Sequence, residues 1–101
     1  MEIAEHAYGL SLIGPFEPTD AATLIAKIQQ KDVTKLHCSY LSPEDARSLA
    51  DLLRDGIHPW LERRNRRLEL VVVGSDETWG ILTERLAGSR IRFVGTRYTP
   101  D

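Results

Sequence analysis

The residues of this chain most suited to chemistry are His37 and Cys38, an imidazole and a thiol side by side. A cysteine becomes a strong nucleophile when a neighbouring base takes its proton. However, residues 35–41 have the pattern of a short strand, and successive strand residues point to opposite faces. His37 and Cys38 therefore cannot act on each other, and Cys38 is predicted to be a small apolar residue of the core.

The histidines do not form a metal-binding pattern. His6, His37 and His58 are scattered, and the chain has one cysteine. A zinc site needs three or four such ligands at characteristic spacings. We therefore expect no metal, no cofactor and no catalytic residues, and we predict that the chain is not an enzyme.

Gly74, Ser75 and Asp76 follow a predicted buried strand and precede a helix, a position where anions can bind. The stretch lacks the glycines and lysine of a phosphate-binding loop, and it lacks the three-glycine spacing of a dinucleotide fingerprint. Capping of the next helix by Ser75 or Asp76 is the favoured interpretation.

The densest charge cluster consists of four arginines, Arg63, Arg64, Arg66 and Arg67. Such a cluster can contact phosphate groups. However, the aromatic residues near it in sequence are only Trp60 and Tyr98, so no base-stacking surface is evident. Positive charge at a helix C-terminus is favourable by itself, and a solvated helix end is the favoured interpretation.

Length and composition indicate a single domain spanning residues 1–101. Hydrophobic residues at 42% and charged residues at 28% argue against a disordered chain. The longest strongly apolar run, residues 70–73, is far too short to span a membrane, and the first residues lack the features of a signal peptide. With a single cysteine, a cytoplasmic location is the expectation.

The net charge of −2 is spread unevenly. Residues 1–61 hold nine acids and five bases, whereas residues 62–101 hold six acids and eight arginines. This mild asymmetry argues against general nucleic-acid binding. The acidic first part is instead compatible with a protein that masks a basic site.

The clearest local signal is a helix start at Ser42, Pro43, Glu44 and Asp45. Ser42 can accept the N–H of Asp45, and Asp45 can reach back to Ser42. Pro43 suits the first helical position, and the acids lie at the positive end of the helix dipole. Apolar spacing continues to residue 61 in spite of Pro59, which predicts a kinked helix, or two segments, ending near residue 64.

Alternating patterns along the chain predict the element order ββαβαβαβ. Strands are expected at residues 2–6, 8–14, 35–41, 68–74 and 91–94, helices at 21–30, 43–64 and 77–86, and a flexible tail at 96–101. The continuous apolar run in the fourth strand predicts a central strand covered on both faces. The order is typical of an α/β domain with a mostly parallel central sheet and flanking helices.

This order and several local positions resemble the STAS domain, the fold of bacterial anti-sigma factor antagonists. Residues 12–14 and 20–22 are similar to that family's apolar strand, glycine and helix start. Residues 35–41 lie where its central strand would be, residues 67–73 look like its next strand, and residues 77–86 look like the helix that follows. The resemblance covers residues 2–95 and would make the chain a divergent member.

The functional signature of STAS domains lies at the start of the second helix, where an Asp-Ser pair is followed two positions on by glycine. In many members an anti-sigma kinase phosphorylates that serine. Here Ser42 falls at the aspartate position, Pro43 at the serine position and Asp45 at the glycine position. Pro43 has no hydroxyl, so the usual phosphoserine switch is expected to be missing. Ser42 would become the phosphorylated residue only after a one-residue shift, and Glu44 and Asp45 would repel the added charge.

STAS domains act by docking, without chemistry of their own. The resemblance therefore implies a non-enzymatic protein-interaction module for a regulatory kinase-like factor or a subunit of a bacterial complex. The expected partner-binding residues are Ser42, Glu44, Asp45, Ser75 and Asp76. One alternative is a small acidic inhibitor or immunity-type protein that masks a basic site on an enzyme. The second alternative is weak nucleic-acid binding through the four arginines.

Overall fold

Five strands, β1 to β5, lie side by side in chain order in the computed structural model, which describes residues 1–7, 9–38 and 40–98, the last three as main chain only. The strands are Glu2–Glu5, Gly9–Ile13, Lys35–Cys38, Leu68–Ser75 and Ile91–Tyr98. β1 is antiparallel to β2, and every later pair is parallel. The predicted α/β class, single domain and mostly parallel sheet are confirmed.

Helical segments connect the parallel strands. They are α1 (Asp20–Lys31), α2 (Pro43–Leu52), a π-helical turn (Leu53–Ile57), α3 (His58–Arg63) and α4 (Asp76–Leu86). The predicted irregularity of the second helix is thus confirmed, because Pro59 lies in the first turn of α3, where its missing N–H is not needed. Asn65, with φ of 52°, ends the segment in the left-handed conformation. None of the helices in the described ranges is long and apolar enough to cross a membrane.

The core lies between the helices and one face of the sheet. In a sheet whose strand order follows the chain, right-handed crossovers place successive helices on the same side. The buried strand residues of that face form two cross-strand rows, Leu10, Leu36 and Leu70, then Leu12, Cys38 and Val72. Helix residues such as Leu24 and Leu82 pack against them as one cluster.

The opposite face of the sheet is open, so the prediction that β4 is covered on both faces is wrong. Burial alternates along β4: Leu70 and Val72 are fully buried, whereas Val71 is half-buried and Val73 is 37% exposed. A run that is apolar at every position has no phase, so its pattern cannot tell a strand buried on both faces from one buried on a single face.

Two strand ends also differ from the predictions. β3 ends at Cys38, and residues 40 and 41 are outside it. β5 continues to Tyr98 beside the long β4, so residues 96–98 are part of the sheet and not of a tail. Residues 99–101, the rest of the predicted tail, lie outside the described residues.

Candidate functional site

The carboxyl ends of β2, β3 and β4 meet at one edge of the sheet, where α1, α2 and α4 begin. All the residues predicted for partner binding lie at the starts of α2 and α4, which pack against each other: Ser42, Glu44, Asp45, Ser75 and Asp76. The fold thus brings two separate stretches of sequence to one end of the molecule. Their roles at that end differ.

The two serines are occupied as helix caps. The hydroxyl of Ser42 accepts the N–H of Asp45 at 3.1 Å, and the hydroxyl of Ser75 accepts the N–H of Thr78 at 3.3 Å. Both side chains are half-buried. The predicted caps are therefore confirmed, and these hydroxyls stabilise the helix starts.

Asp45 ties a neighbouring loop to α2. Its Oδ1 accepts the N–H of Phe16 at 3.2 Å, so the predicted return contact to Ser42 is replaced by a contact to the β2–α1 loop. Phe16 is partly buried against the core. Asp45 therefore positions the loop that borders this end of the sheet.

Leu41 is held from both sides by hydrogen bonds that were not anticipated. Its N–H donates to the carbonyl of Val73 at 3.0 Å, and its carbonyl accepts the hydroxyl of Thr78 at 2.9 Å. Thr78 is the polar residue that the described chain buries completely. Gly74 permits this approach, because a Cβ there would lie 2.8 Å from Thr78 Cγ2. The β3–α2 loop is thus fixed to β4 and α4.

Three large apolar side chains are exposed at this same end. Tyr40 is 64% exposed, Ile13 45% and Val73 37%. Ile13 and Tyr40 line a concavity of about 350 Å³ together with Ser42 and Asp45. The sequence held a signal for two of them, because Ile13 and Val73 are out of phase with the buried residues of their strands.

Two acids lie at the helix starts of this same end. Glu44 and Asp76 are exposed, and neither forms an ion pair or hydrogen bond with a described residue, whereas the nearby Glu77 lies 3.7 Å from Arg47. We call the set Ile13, Tyr40, Glu44, Val73 and Asp76 the carboxyl-end surface. It combines large apolar groups with unneutralised negative charge.

The four clustered arginines lie far from this surface, from the last residue of α3 to the start of β4. The Arg64 guanidinium lies over the Trp60 ring, 4.8 Å from its centroid, and Arg66 pairs with Asp32. Arg63 and Arg67 have no ion pair within the described chain. Half of the cluster is thus engaged in intramolecular contacts.

Cys38 and His37 lie on opposite faces of β3, as predicted. Cys38 is buried, and burial raises the pKa of its thiol from an ordinary value of 9.0 to about 12. His37 lies on the open face, where its ring meets His6 edge-on at 6.4 Å. Across the described residues there is no cluster of three or more metal-ligating side chains.

Comparisons with known protein families, with curated proteins and with solved structures found no match for this chain. The α/β architecture hosts many unrelated functions and does not identify one. Function must therefore be inferred from the chemistry of the surface itself.

Proposed function

We propose that this chain is a non-enzymatic docking domain, STAS-like in architecture, that binds a protein partner through its carboxyl-end surface. The observation that carries the proposal is the position of Ile13, Tyr40 and Val73. All three are exposed at the end of the sheet where α2 and α4 begin, and Ile13 and Tyr40 line one concavity there. Clustered apolar groups with a polar rim are typical of protein-binding sites.

The surface favours one kind of partner. Tyr40 is the natural anchor, because exposed aromatic residues supply much of the binding free energy at protein interfaces. Glu44 and Asp76 favour a partner whose apolar pocket has a basic rim. The bonds that fix Leu41 and Phe16 hold the loops in place before binding, which lowers the entropy cost of association.

Docking of this kind would not depend on a phosphoserine. Pro43 occupies the first position of α2, where the STAS resemblance places the phosphorylated serine. Ser42 is the neighbouring hydroxyl, and it already caps the helix. A phosphate on Ser42 would stand beside the acids Glu44 and Asp45. We therefore propose that a regulatory kinase-like factor or a complex subunit binds constitutively.

The test compares two double charge reversals of equal size. Glu44→Arg with Asp76→Arg changes the carboxyl-end surface, and Glu62→Arg with Glu84→Arg changes exposed acids elsewhere. Tyr40→Ala removes the expected anchor. Proteins captured from native lysate are quantified by mass spectrometry, and the affinity of each captured protein is then measured with purified components.

We expect Tyr40→Ala to weaken binding by about thirtyfold or more, the size of an interface hot spot. The carboxyl-end double reversal should weaken binding as well, and the control reversal should leave the affinity unchanged. Unfolding midpoints of all variants establish that they are folded. If Tyr40→Ala and the carboxyl-end reversal bind every captured partner as the parent chain does, docking at this surface is wrong.

The acidic inhibitor remains a second candidate, because unneutralised Glu44 and Asp76 fit a basic enzyme site. It differs in its salt response. When acids replace a charged substrate, association is steered electrostatically and slows steeply as salt rises. A steep fall in association rate between low and physiological salt would favour the inhibitor, and a shallow fall would favour apolar docking around Tyr40 with the two acids at its rim.

A further inference from the structure

β5 is an edge strand with free main-chain groups. Within the described chain, Ile91–Tyr98 pairs with β4 alone. The N–H of Leu68 donates to the carbonyl of Arg90. In a parallel ladder with this register, the N–H and C=O of Arg92 bond to β4. Those of Phe93 lie in the plane of the sheet and point away from β4, toward the free edge. Such an edge is a template for a further strand.

A groove of about 480 Å³ lies between this edge and the last turns of α4. Its floor is apolar: Leu86 and Ile91 are buried, and Phe93 is half-buried. Three arginines border it, Arg67, Arg90 and Arg92. The groove can therefore accept an apolar side chain while its rim contacts negative charge.

Positive charge dominates around the groove. The acids on the adjoining elements are Glu69 on β4 and Asp76, Glu77 and Glu84 on α4; Asp76 and Glu77 are in the first turn of α4, whereas the groove lies beside its last turns. Glu69 is partly neutralised by Lys35, whose Nζ lies 3.9 Å from it. Arg67 has no ion pair within the described residues. An acidic ligand would thus find unsatisfied basic groups beside the free strand edge.

The charge of β5 also indicates what the edge does not bind. The sequence of β5 holds two arginines and no acid. Two copies of the chain joined along β5 would bring like charges together, which is destabilising. Positive residues on an edge strand are a known means of preventing such self-association. A strand rich in acids meets no such penalty.

We propose that β5 and this groove bind an extended acidic segment of a partner protein, which adds to the sheet as another strand. Side chains of an added strand alternate between the two faces of the sheet. Those on the helix side enter the groove beside Phe93 and are apolar, and those on the open side meet Arg92 and are acidic. The ligand is therefore a peptide of alternating apolar and acidic residues. This site is separate from the carboxyl-end surface and does not depend on its function.

The probe is a fluorescent peptide of alternating glutamate and valine, as long as β5, with binding followed by fluorescence anisotropy. Two further versions carry N-methyl groups on the glutamates or on the valines, which removes alternate main-chain donors. In an added strand, only alternate N–H groups face β5. Strand addition therefore predicts that one methylated version binds with an affinity about tenfold or more lower, whereas the other binds with the affinity of the unmethylated peptide. Equal weakening of both versions would overturn strand addition.

Two charge-neutralising variants complete the test. Arg92→Gln should weaken the peptide by about tenfold, whereas Arg63→Gln, which removes an exposed arginine outside the groove, should not. A peptide of alternating lysine and valine should not bind. Equal binding of the lysine peptide, or equal loss in both variants, would overturn the proposal. Sedimentation showing two copies joined through β5 would overturn it too.

Discussion

The two ends of the sheet use polar groups in different ways. At the carboxyl end, half-buried or buried side chains bond to the main chain, as Thr78 does to Leu41 and Asp45 does to Phe16. At the amino end, His58 Nδ1 likewise accepts the N–H of Arg90, but exposed side chains also form ion pairs with one another, as Arg66 does with Asp32. The first kind of contact fixes loops, and the second neutralises charge.

This difference supports the proposal that the carboxyl end is the docking surface. Its loops are fixed by buried or partly buried hydrogen bonds, so its exposed residues are left for a partner. Tyr40 is 64% exposed, and Glu44 forms no ion pair with any residue that the structure describes. At the amino end much of the charge is already satisfied within the molecule. Contacts that are made inside the chain are not available to a partner unless they are first broken.

The largest effect on stability is expected from Thr78→Val. The substitution keeps the shape of the side chain but leaves the carbonyl of Leu41 without its hydroxyl donor in a fully buried position. A buried group left unsatisfied costs about 1–3 kcal/mol. We expect that loss in the free energy of unfolding, measured by urea denaturation, and weaker binding at the carboxyl-end surface.

Thr83→Val is the matched control for this change. Thr83 is exposed, and its hydroxyl bonds back to the carbonyl of Trp79 within its own helix. Its replacement should change the free energy of unfolding by no more than about 0.5 kcal/mol. Equal losses from both threonine substitutions would show that the bond to Leu41 does not hold the loop.

A second prediction uses the pH dependence of Cys38, which lies beneath the carboxyl-end surface. Burial raises the pKa of its thiol to about 12, so the folded chain holds this proton more tightly than the unfolded chain. The resulting stabilisation is complete below the ordinary pKa of 9.0 and is lost as the pH rises toward 12. Relative to Cys38→Ala, the free energy of unfolding should fall by about 1.4 kcal/mol between pH 8 and pH 10.

Urea denaturation of both chains at each pH measures this difference, because other ionisations are common to the two and cancel. Parallel stability profiles for the parent chain and Cys38→Ala would mean that the thiol is accessible to water in the folded state. That result would also weaken the case for a tightly packed base beneath Tyr40.

Local sequence signals predicted the helix starts at the carboxyl end. The long-range hydrogen bonds that hold the loops there could not be predicted from the sequence. The cap at Ser42 and the position of Pro43 depend on residues within one helical turn, so their types alone reveal them. The Thr78–Leu41 bond joins residues 37 positions apart, and its existence depends on how α4 packs. The exposure of Val73 was hidden because every residue from 70 to 73 is apolar.

The candidate site shows the same limit. Glu44 and Asp76 were predicted at the surface from their places in two helix starts, and they are exposed there. Tyr40 was missed because its exposure depends on the path of a loop that Leu41 anchors from a distance. Site residues whose exposure follows from local structure were predicted from the sequence. Site residues whose exposure depends on tertiary packing were not.

The smallest effect is expected at the amino end, from Arg66→Ala. Arg66 and Asp32 are both about half exposed, so their ion pair is worth about 0.2–1 kcal/mol and is weakened by salt. The loss should shrink when urea denaturation is repeated in 1 M NaCl. Arg63→Ala, which removes an arginine without an ion pair in the described chain, should cost less at low salt.

The Thr78→Val loss should not respond to salt, because it arises from a neutral buried bond. If the Arg66 and Thr78 losses respond equally to salt, the two ends of the sheet are not held by different kinds of contact.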